Sequence, residues 1–429
     1  MTAADHARAA LAPYWPRGEA PLRALPIAPA APPAREPLPP VTTLVPLPDW
    51  AADIAADGGL LVPAWAVVGG EGAAWKRTDW WGAAGWYLGS AAERAHEATN
   101  GPIHGNARRL AGWDARLWRR AWVNRMALFL RRWAARRGET DETALLGPPP
   151  EAEVAVTHDV DAVVKTAAIR LKQAGFHAFN AARRLARRRP AMARAAAAAR
   201  MLLGPGDYWC FDTIMGLEAR RGRRSRFHFF AGRPGPWRSP RRALFDPAYD
   251  IAAPRLATMV RRLLAEGWEV GLHQSFDAWA DAAPMSAERR RLEAVAGHPV
   301  TACRQHWLRF SFARTWAAQA KAGLTLDASL GFNDRPGFRN GAALAFQPPD
   351  PGGRPLPLTA VPLVLMDSHL YDYGDLDAPA RLAEIAHWLG EVRAVGGTAS
   401  VVWHQRVMHP DYGWGEGYEA LLDTLDGRP

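Results

Sequence analysis

From Val154 onward the chain repeats one pattern: a short apolar run, one or two polar residues, then a stretch with helical spacing. The runs are Val154–Val156, Arg226–Ala231, Glu269–Leu272, Ala302–Arg304, Leu326–Ala328, Leu363–Asp367 and Ser400–Trp403. Helix candidates lie between them, notably Pro254–Glu266, Ala287–Ala296, Thr315–Ala322 and Ala378–Val395. Strands separated by helices pair in parallel rather than as hairpins, with the helices covering the sheet. The pattern predicts an α/β fold whose seven strands close, or nearly close, into a barrel.

In barrels of this kind, catalytic side chains gather at the C-terminal ends of the strands. Thr157, His158, Asp159 and Asp161 follow the first strand here. His273 follows "EVGL", Arg304 and His306 close the "TACRQHWLRF" segment, Asp327 follows "GLTL" and His404 follows "SVVW". The fold would bring carboxylates, histidines and an arginine to one mouth. Asp and His with no nearby thiolate suit Zn²⁺, Mn²⁺, Co²⁺ or Fe²⁺, and three protein ligands with an open position make a catalytic centre. Such an ion polarises a carbonyl and acidifies a bound water. A free carboxylate can take the water's proton, and a further histidine can protonate the leaving group. The inventory fits hydrolysis of an amide or ester. The absence of a P-loop, a GxSxG elbow and a cysteine-nucleophile motif argues against phosphoryl transfer and acyl-enzyme chemistry.

The remainder of the chain is organised differently. Residues 1–50, with "APAAPPAREPLPP", read as a Pro/Ala-rich extended arm. Residues 51–146 read as a Trp-rich helical accessory region, and "GPPPEAE" (Gly147 to Glu153) marks the boundary before the barrel. The net charge of +10 is a local feature. Ten Lys or Arg and no acid lie between Ala162 and Pro205, and the rest of the chain carries 43 basic and 43 acidic residues. This basic insertion, at about 165–205, falls between the first two strands, and Pro190 breaks any single helix through it. It reads either as a solvated helix pair or as a contact with anionic membrane or polysaccharide through 165–203. Specific nucleic-acid binding has no motif behind it. The two cysteines, Cys210 and Cys303, read as buried thiols. With no leader-like N-terminus and no 18-residue apolar run, a cytoplasmic protein is expected.

The residues that carry the strand ends also carry a resemblance. Glu151 to Leu425 resembles the polysaccharide deacetylase superfamily, more narrowly the divergent bacterial branch whose first motif reads T-H-D-V-D, here Thr157 to Asp161. The resemblance implies a distorted (β/α) barrel. It also implies a divalent cofactor, Zn²⁺ foremost, and removal of N- or O-linked acetyl groups from a carbohydrate or polysaccharide precursor. The family's usual T-F-D-D-G supplies a base and then a metal ligand. Asp159 inherits the base role and, with Val160 in the second position, Asp161 the ligand role, unless the two are exchanged. The family's H-[ST]-x-x-H appears as "HQSFD", so His273 is implied as a ligand and the third is His306 or Asp277. Arg304 matches the arginine that orients the base, His404 the general acid, and Asp327 the aspartate supporting that acid. Trp307, Arg309 and Trp403 are candidate substrate contacts. The competing reading is an inactive or metal-free barrel that binds a saccharide or partner, or hydrolyses another C–N bond.

Overall fold

The computed structural model describes residues 2–186, 188, 191–204, 206–233, 245–350, 352–374 and 376–428. Pro190, expected to break the basic insertion, lies outside the described residues, as do Arg187 and Arg189.

A small antiparallel hairpin, β1 (Thr42–Val45) and β2 (Leu60–Pro63), precedes the main sheet. The sheet holds β3 (Glu153–Val160), β4 (Arg226–Phe230), β5 (Glu269–Gln274), β6 (Ala302–Gln305) and β7 (Leu326–Asp327). It is completed by β8 (Thr359–Ala360), β9 (Leu363–Met366) and β10 (Thr398–Val402). All neighbours are parallel, in the order β8-β7-β6-β5-β4-β3-β10-β9. The two edge strands, β8 and β9, are separated by only Val361 and Pro362. Three chain steps reach at most about 11 Å, so the edges of an eight-stranded sheet must come together, and the sheet curls into a half-barrel. The parallel α/β fold expected from the alternation is present. The strand it missed, β8, is two residues long and has no apolar run of its own.

Between the strands, helices Pro254–Ala265, Ala282–Ala296, Thr315–Lys321 and Ala378–Ala394 lie close to their expected bounds. The second starts earlier because the Asp281 side chain accepts from the Ala283 amide and caps it. Leu263, Leu292, Leu389 and Val401 are among the side chains of one continuous core between sheet and helices.

The first 50 residues are not extended throughout. Thr2 and Asp5 form a reciprocal capping box that starts a helix over Ala3–Ala10, and Tyr14, Trp15 and Leu22 are buried. They join a second core, built around the helix Trp122–Arg137, that also takes in Phe310, Trp316 and Phe346 from the sheet half. Ion pairs cross between the halves. Arg125 grips Glu391 through Nε (2.8 Å) and Nη2 (2.7 Å), and Arg339 binds Glu93, with Nε donating at 3.1 Å. Cys210 and Cys303 are buried free thiols.

Candidate active site

Side chains on an extended strand alternate between its two faces, and that alternation sorts the residues of "VTHDVD". Asp159 lines a cavity of about 330 Å³ inside the curl of the sheet. His158 and Val160 point the other way. Val160 joins the core, and His158 faces the Trp403 carbonyl with Nδ1 (2.6 Å) and Glu218 with Nε2 (2.8 Å). Asp161, the first residue past β3, returns to the cavity side. A carboxylate at position 160 would have pointed into hydrophobic side chains.

Asp159 is held from two other strands of the sheet, β6 and β4. The Arg304 Nη1 donates to its Oδ1 at 2.9 Å and to the Thr157 hydroxyl at 2.8 Å, while Arg304 Nε donates to the Ala328 carbonyl at 2.9 Å. On β4, in register with Asp159, His228 places Nδ1 3.3 Å from the same Oδ1. Burial, and then the Arg304 charge, push the His228 pKa down to about 3, so the ring is neutral. Burial alone would raise the Asp159 pKa, but Arg304, His273 and His228 outweigh it and hold the carboxyl well below its usual range. Gly271 makes this arrangement possible. A Cβ there would lie 2.5 Å from the His228 ring.

Asp161 sits among cations and imidazoles. Arg406 contacts its Oδ2; His273 Nε2 lies 3.2 Å and His306 Nε2 3.7 Å from its Oδ1; His404 Nε2 lies 3.6 Å from its Oδ2. Burial raises its pKa, and Arg406, His273, His404 and His306 reverse that to well below the usual range. Asp161, His273 and His306 offer three ligand atoms within 4.8 Å of one another, a grouping that includes neither Asp159 nor Asp277. Two features of the donors fit a cation. The His273 Nδ1 faces the Arg304 carbonyl at 3.2 Å and must donate to it, which in the neutral ring leaves a lone pair on Nε2 aimed at the carboxylate. The Asp161 Oδ1 is itself buried with no hydrogen-bond partner. Two lone-pair donors facing each other call for a positive charge between them.

His404 follows β10 and presents Nε2 to the cavity. Its Nδ1 lies 2.9 and 3.0 Å from the two oxygens of Asp367, and its amide donates to Asp367 Oδ2 at 2.6 Å. Burial disfavours the His404 charge, but Asp367 and then Asp161 outweigh it and raise the pKa.

Several expected positions are corrected. Asp327 does not support His404. It is buried on the far side of β6, where the Trp316 indole (3.1 Å), the Gln319 amide (2.8 Å) and the Ser329 hydroxyl donate to it. Asp277 is half exposed and lies 3.5 Å from Arg309, away from the His273 cluster. Arg309 stacks over Phe276, 4.1 Å from the ring centre, and Trp403 is packed between Tyr371 and Tyr418. Neither reaches the cavity wall. Trp307 does line the cavity, in a turn where it and Leu308 take positive φ values of 58° and 47°. That backbone, strained for side chains of this size, directly follows His306 and turns the chain at the cavity edge.

Four residues of the site were not anticipated: His228, Asp246, Asp367 and Arg406. The alternation in "RFHFF" already places His228 opposite Phe227 and Phe229. Asp367 ends a run recognised as a strand, but its meeting with His404 depends on β9 pairing with β10. Asp246, 3.8 Å from His306 Nδ1, comes from a loop and Arg406 from a single 3-10 turn over Gln405–Met408, and neither has a periodicity to guide the reading. Burial pushes a further cavity carboxyl, Asp372, up to about 6.

No family model matches the chain, and no curated protein matches it. Among solved structures it is similar to a Mycobacterium smegmatis protein provisionally named a polysaccharide deacetylase, at 17% identity and a TM-score of 0.38 over 65% of this chain and 85% of that one. It is similar to the allantoinase PuuE, at 14% identity and a TM-score of 0.38 over 66% and 89% of the two chains. It is also similar to the polysaccharide deacetylase of Bacillus cereus, at 11% identity and a TM-score of 0.32 over 65% and 88%.

Proposed function

We propose that the cavity inside the sheet is the active site of a metal-dependent hydrolase that removes N- or O-linked acetyl groups from a carbohydrate. The observation that carries the reading is the convergence of three separate devices on one cavity. They are an arginine-held carboxylate (Asp159), a one-carboxylate, two-imidazole donor set (Asp161, His273, His306) and a carboxylate-held imidazole (His404).

Asp161, His273 and His306 would hold a divalent ion, Zn²⁺, Mn²⁺, Co²⁺ or Fe²⁺ by donor type. When bound, the ion supplies Lewis acidity toward the acetyl carbonyl and toward an attacking water. Asp159 takes the proton from that water. Arg304 and His228 fix its carboxylate and keep it ionised, so the base is ready before substrate arrives. Asp367 fixes His404 at Nδ1, leaving Nε2 to deliver a proton to the departing amine or alkoxide. Water adds to the carbonyl carbon, the C–N or C–O bond breaks, and acetate and the free amine or alcohol are the products. The apolar part of the wall, with Trp307, Phe245 and Met366, would pack against the sugar or the acetyl methyl.

Acetate release from acetylated saccharides, measured on protein stripped with chelator and on protein reloaded with each ion, tests the proposal. Release that depends on the ion and vanishes in Asp159→Asn is expected. Metal-loaded protein that releases no acetate from N- or O-acetylated saccharides would overturn it.

A further inference from the structure

The basic insertion forms two helices, Ala167–Ala186 and Met192–Leu203, packed against one another. It is fastened to the body by two of its own cations, and a third ties its two helices together. Lys165 Nζ donates to Asp411 at 2.6 Å, Arg194 binds the Tyr371 carbonyl and lies 3.7 Å from Asp372, and Arg170 holds the Leu202 and Gly204 carbonyls at 2.7 and 2.8 Å. One face of the first helix, with Ile169, Gln173 and Phe176, forms part of the cavity wall.

The opposite face is exposed and apolar. At about 100° per residue, Leu171, Ala178, Phe179, Ala182 and Leu185 fall on one side, roughly half a turn from Ile169 and Phe176, and all five are exposed. The second helix adds exposed Met192, Ala195, Ala199, Leu202 and Leu203. The five most exposed large apolar side chains among the described residues all lie on this pair: Leu203 (85%), Met192 (81%), Leu185 (70%), Leu171 (69%) and Phe179 (65%). An apolar face this continuous requires a cover.

Charge decides what covers it. Ala162 to Pro205 contains no acidic residue, and five of its ten cations, Arg183, Arg184, Arg187, Arg188 and Arg189, fall within seven successive sequence positions. Arg188 and Arg200 are exposed. A second copy meeting this face with its own would bring two all-basic surfaces together. A soluble polyanion would satisfy the arginines but leave the leucines and Phe179 in water. A lipid surface with anionic headgroups accepts both, the apolar side chains at the acyl boundary and the arginines among the phosphates. No helix among the described residues is long and apolar enough to cross a membrane, so the pair would lie on the surface rather than span it.

We infer that the helical pair 167–203 docks the protein on an anionic membrane surface, and that the saccharide it deacetylates is presented there. The location of the substrate rests on the hydrolase reading; the docking does not. Because the first helix carries the docking face on one side and the cavity wall on the other, docking sets the active site one helix diameter from the lipid.

Full-length protein is sedimented with vesicles of phosphatidylglycerol and phosphatidylcholine in equal parts, and with pure phosphatidylcholine. Pelleting with the anionic vesicles alone, weakened by added salt, is expected. The double variant Phe179→Asp with Leu185→Asp, and separately Leu203→Asp, should each pellet about tenfold less while keeping the wild-type circular dichroism spectrum. Asp159→Asn should pellet as the wild type, which separates failure of docking from failure of catalysis. Equal pelleting with both vesicle types, or unchanged pelleting of the variants, would overturn the inference. So would a dimer of the wild type that Phe179→Asp converts to monomer.

Discussion

His404 and Asp367 meet twice, ring to carboxylate at 2.9 Å and backbone amide to carboxylate at 2.6 Å. The double contact follows from the parallel pairing of β9 with β10, in which Met366 lies opposite Val402. The residues just past each strand end then come face to face. Asp367 fixes both the position of the loop that starts at His404 and the direction of its ring.

Asp367→Asn should therefore lower kcat by about 10²-fold, since an imidazole in the wrong orientation or tautomer loses most of its use as an acid. Metal content should stay at the wild-type level. Asp327→Asn, which touches no cavity residue, should leave kcat close to wild type and act on stability alone. Steady-state acetate release and metal analysis on the two variants check both statements.

Asp159 and Asp161 should separate under substitution. Asp159→Asn is expected to abolish turnover and retain bound metal, because Asp159 is held by Arg304 and His228 rather than by the donor set. His306→Ala and Asp161→Asn should instead lower metal affinity by about tenfold or more. Metal loss in Asp159→Asn would show the two carboxylates exchanging roles.

A third prediction concerns Glu218, on the outer side of the sheet. His158 Nε2 (2.8 Å), the Ser225 hydroxyl (2.8 Å), the Trp268 indole (2.6 Å) and the Tyr418 hydroxyl (2.5 Å) all meet this buried carboxylate. Burial raises its pKa, but His158, Tyr418 and Ser225 outweigh that and leave it below the ordinary 4.5. The unfolded chain then binds a proton at a pH where the folded chain does not. The stability Glu218 contributes is present above pH 4.5 and lost as the pH falls below it. Glu218→Gln should cost roughly 3 kcal/mol at neutral pH, and the gap to wild type should narrow in acid. Urea unfolding at pH 7 and pH 4 measures it.

Gly271→Ala should act on catalysis through His228. The added methyl falls 2.5 Å from His228 Cδ2 and must displace the ring that abuts Asp159. A stability loss of about 1–3 kcal/mol is expected, with a fall in kcat that Gly271→Ser, which adds the same Cβ, shares. Unfolding curves and steady-state rates on both variants test this.

The β/α alternation after Val154 was legible because its signal is local. A strand of four to eight apolar residues and a helix of a dozen each announce themselves without knowledge of the rest of the chain. The site residues at strand ends, Asp159, Asp161, His273, Arg304, His306 and His404, were legible for the same reason, since position after a strand predicts position near the mouth. Residues whose role depends on which strands are neighbours were not legible. Asp327 looked like the partner of His404, but β7 lies across the sheet from β10, with β9 next to β10 instead.

The sequence by itself determined the fold class, the apolar strand cores and the set of residues able to do acid, base and ligand chemistry, because each depends on spacing along the chain. Tertiary structure decided which carboxylate serves which partner. Strand order brought Asp367 to His404 and removed Asp327, the pleat turned Val160 into the core and Asp161 toward His273 and His306, and the pairing of β10 with β3 brought Arg406 onto Asp161. Those choices depend on contacts between residues far apart in the chain, and no local pattern encodes them.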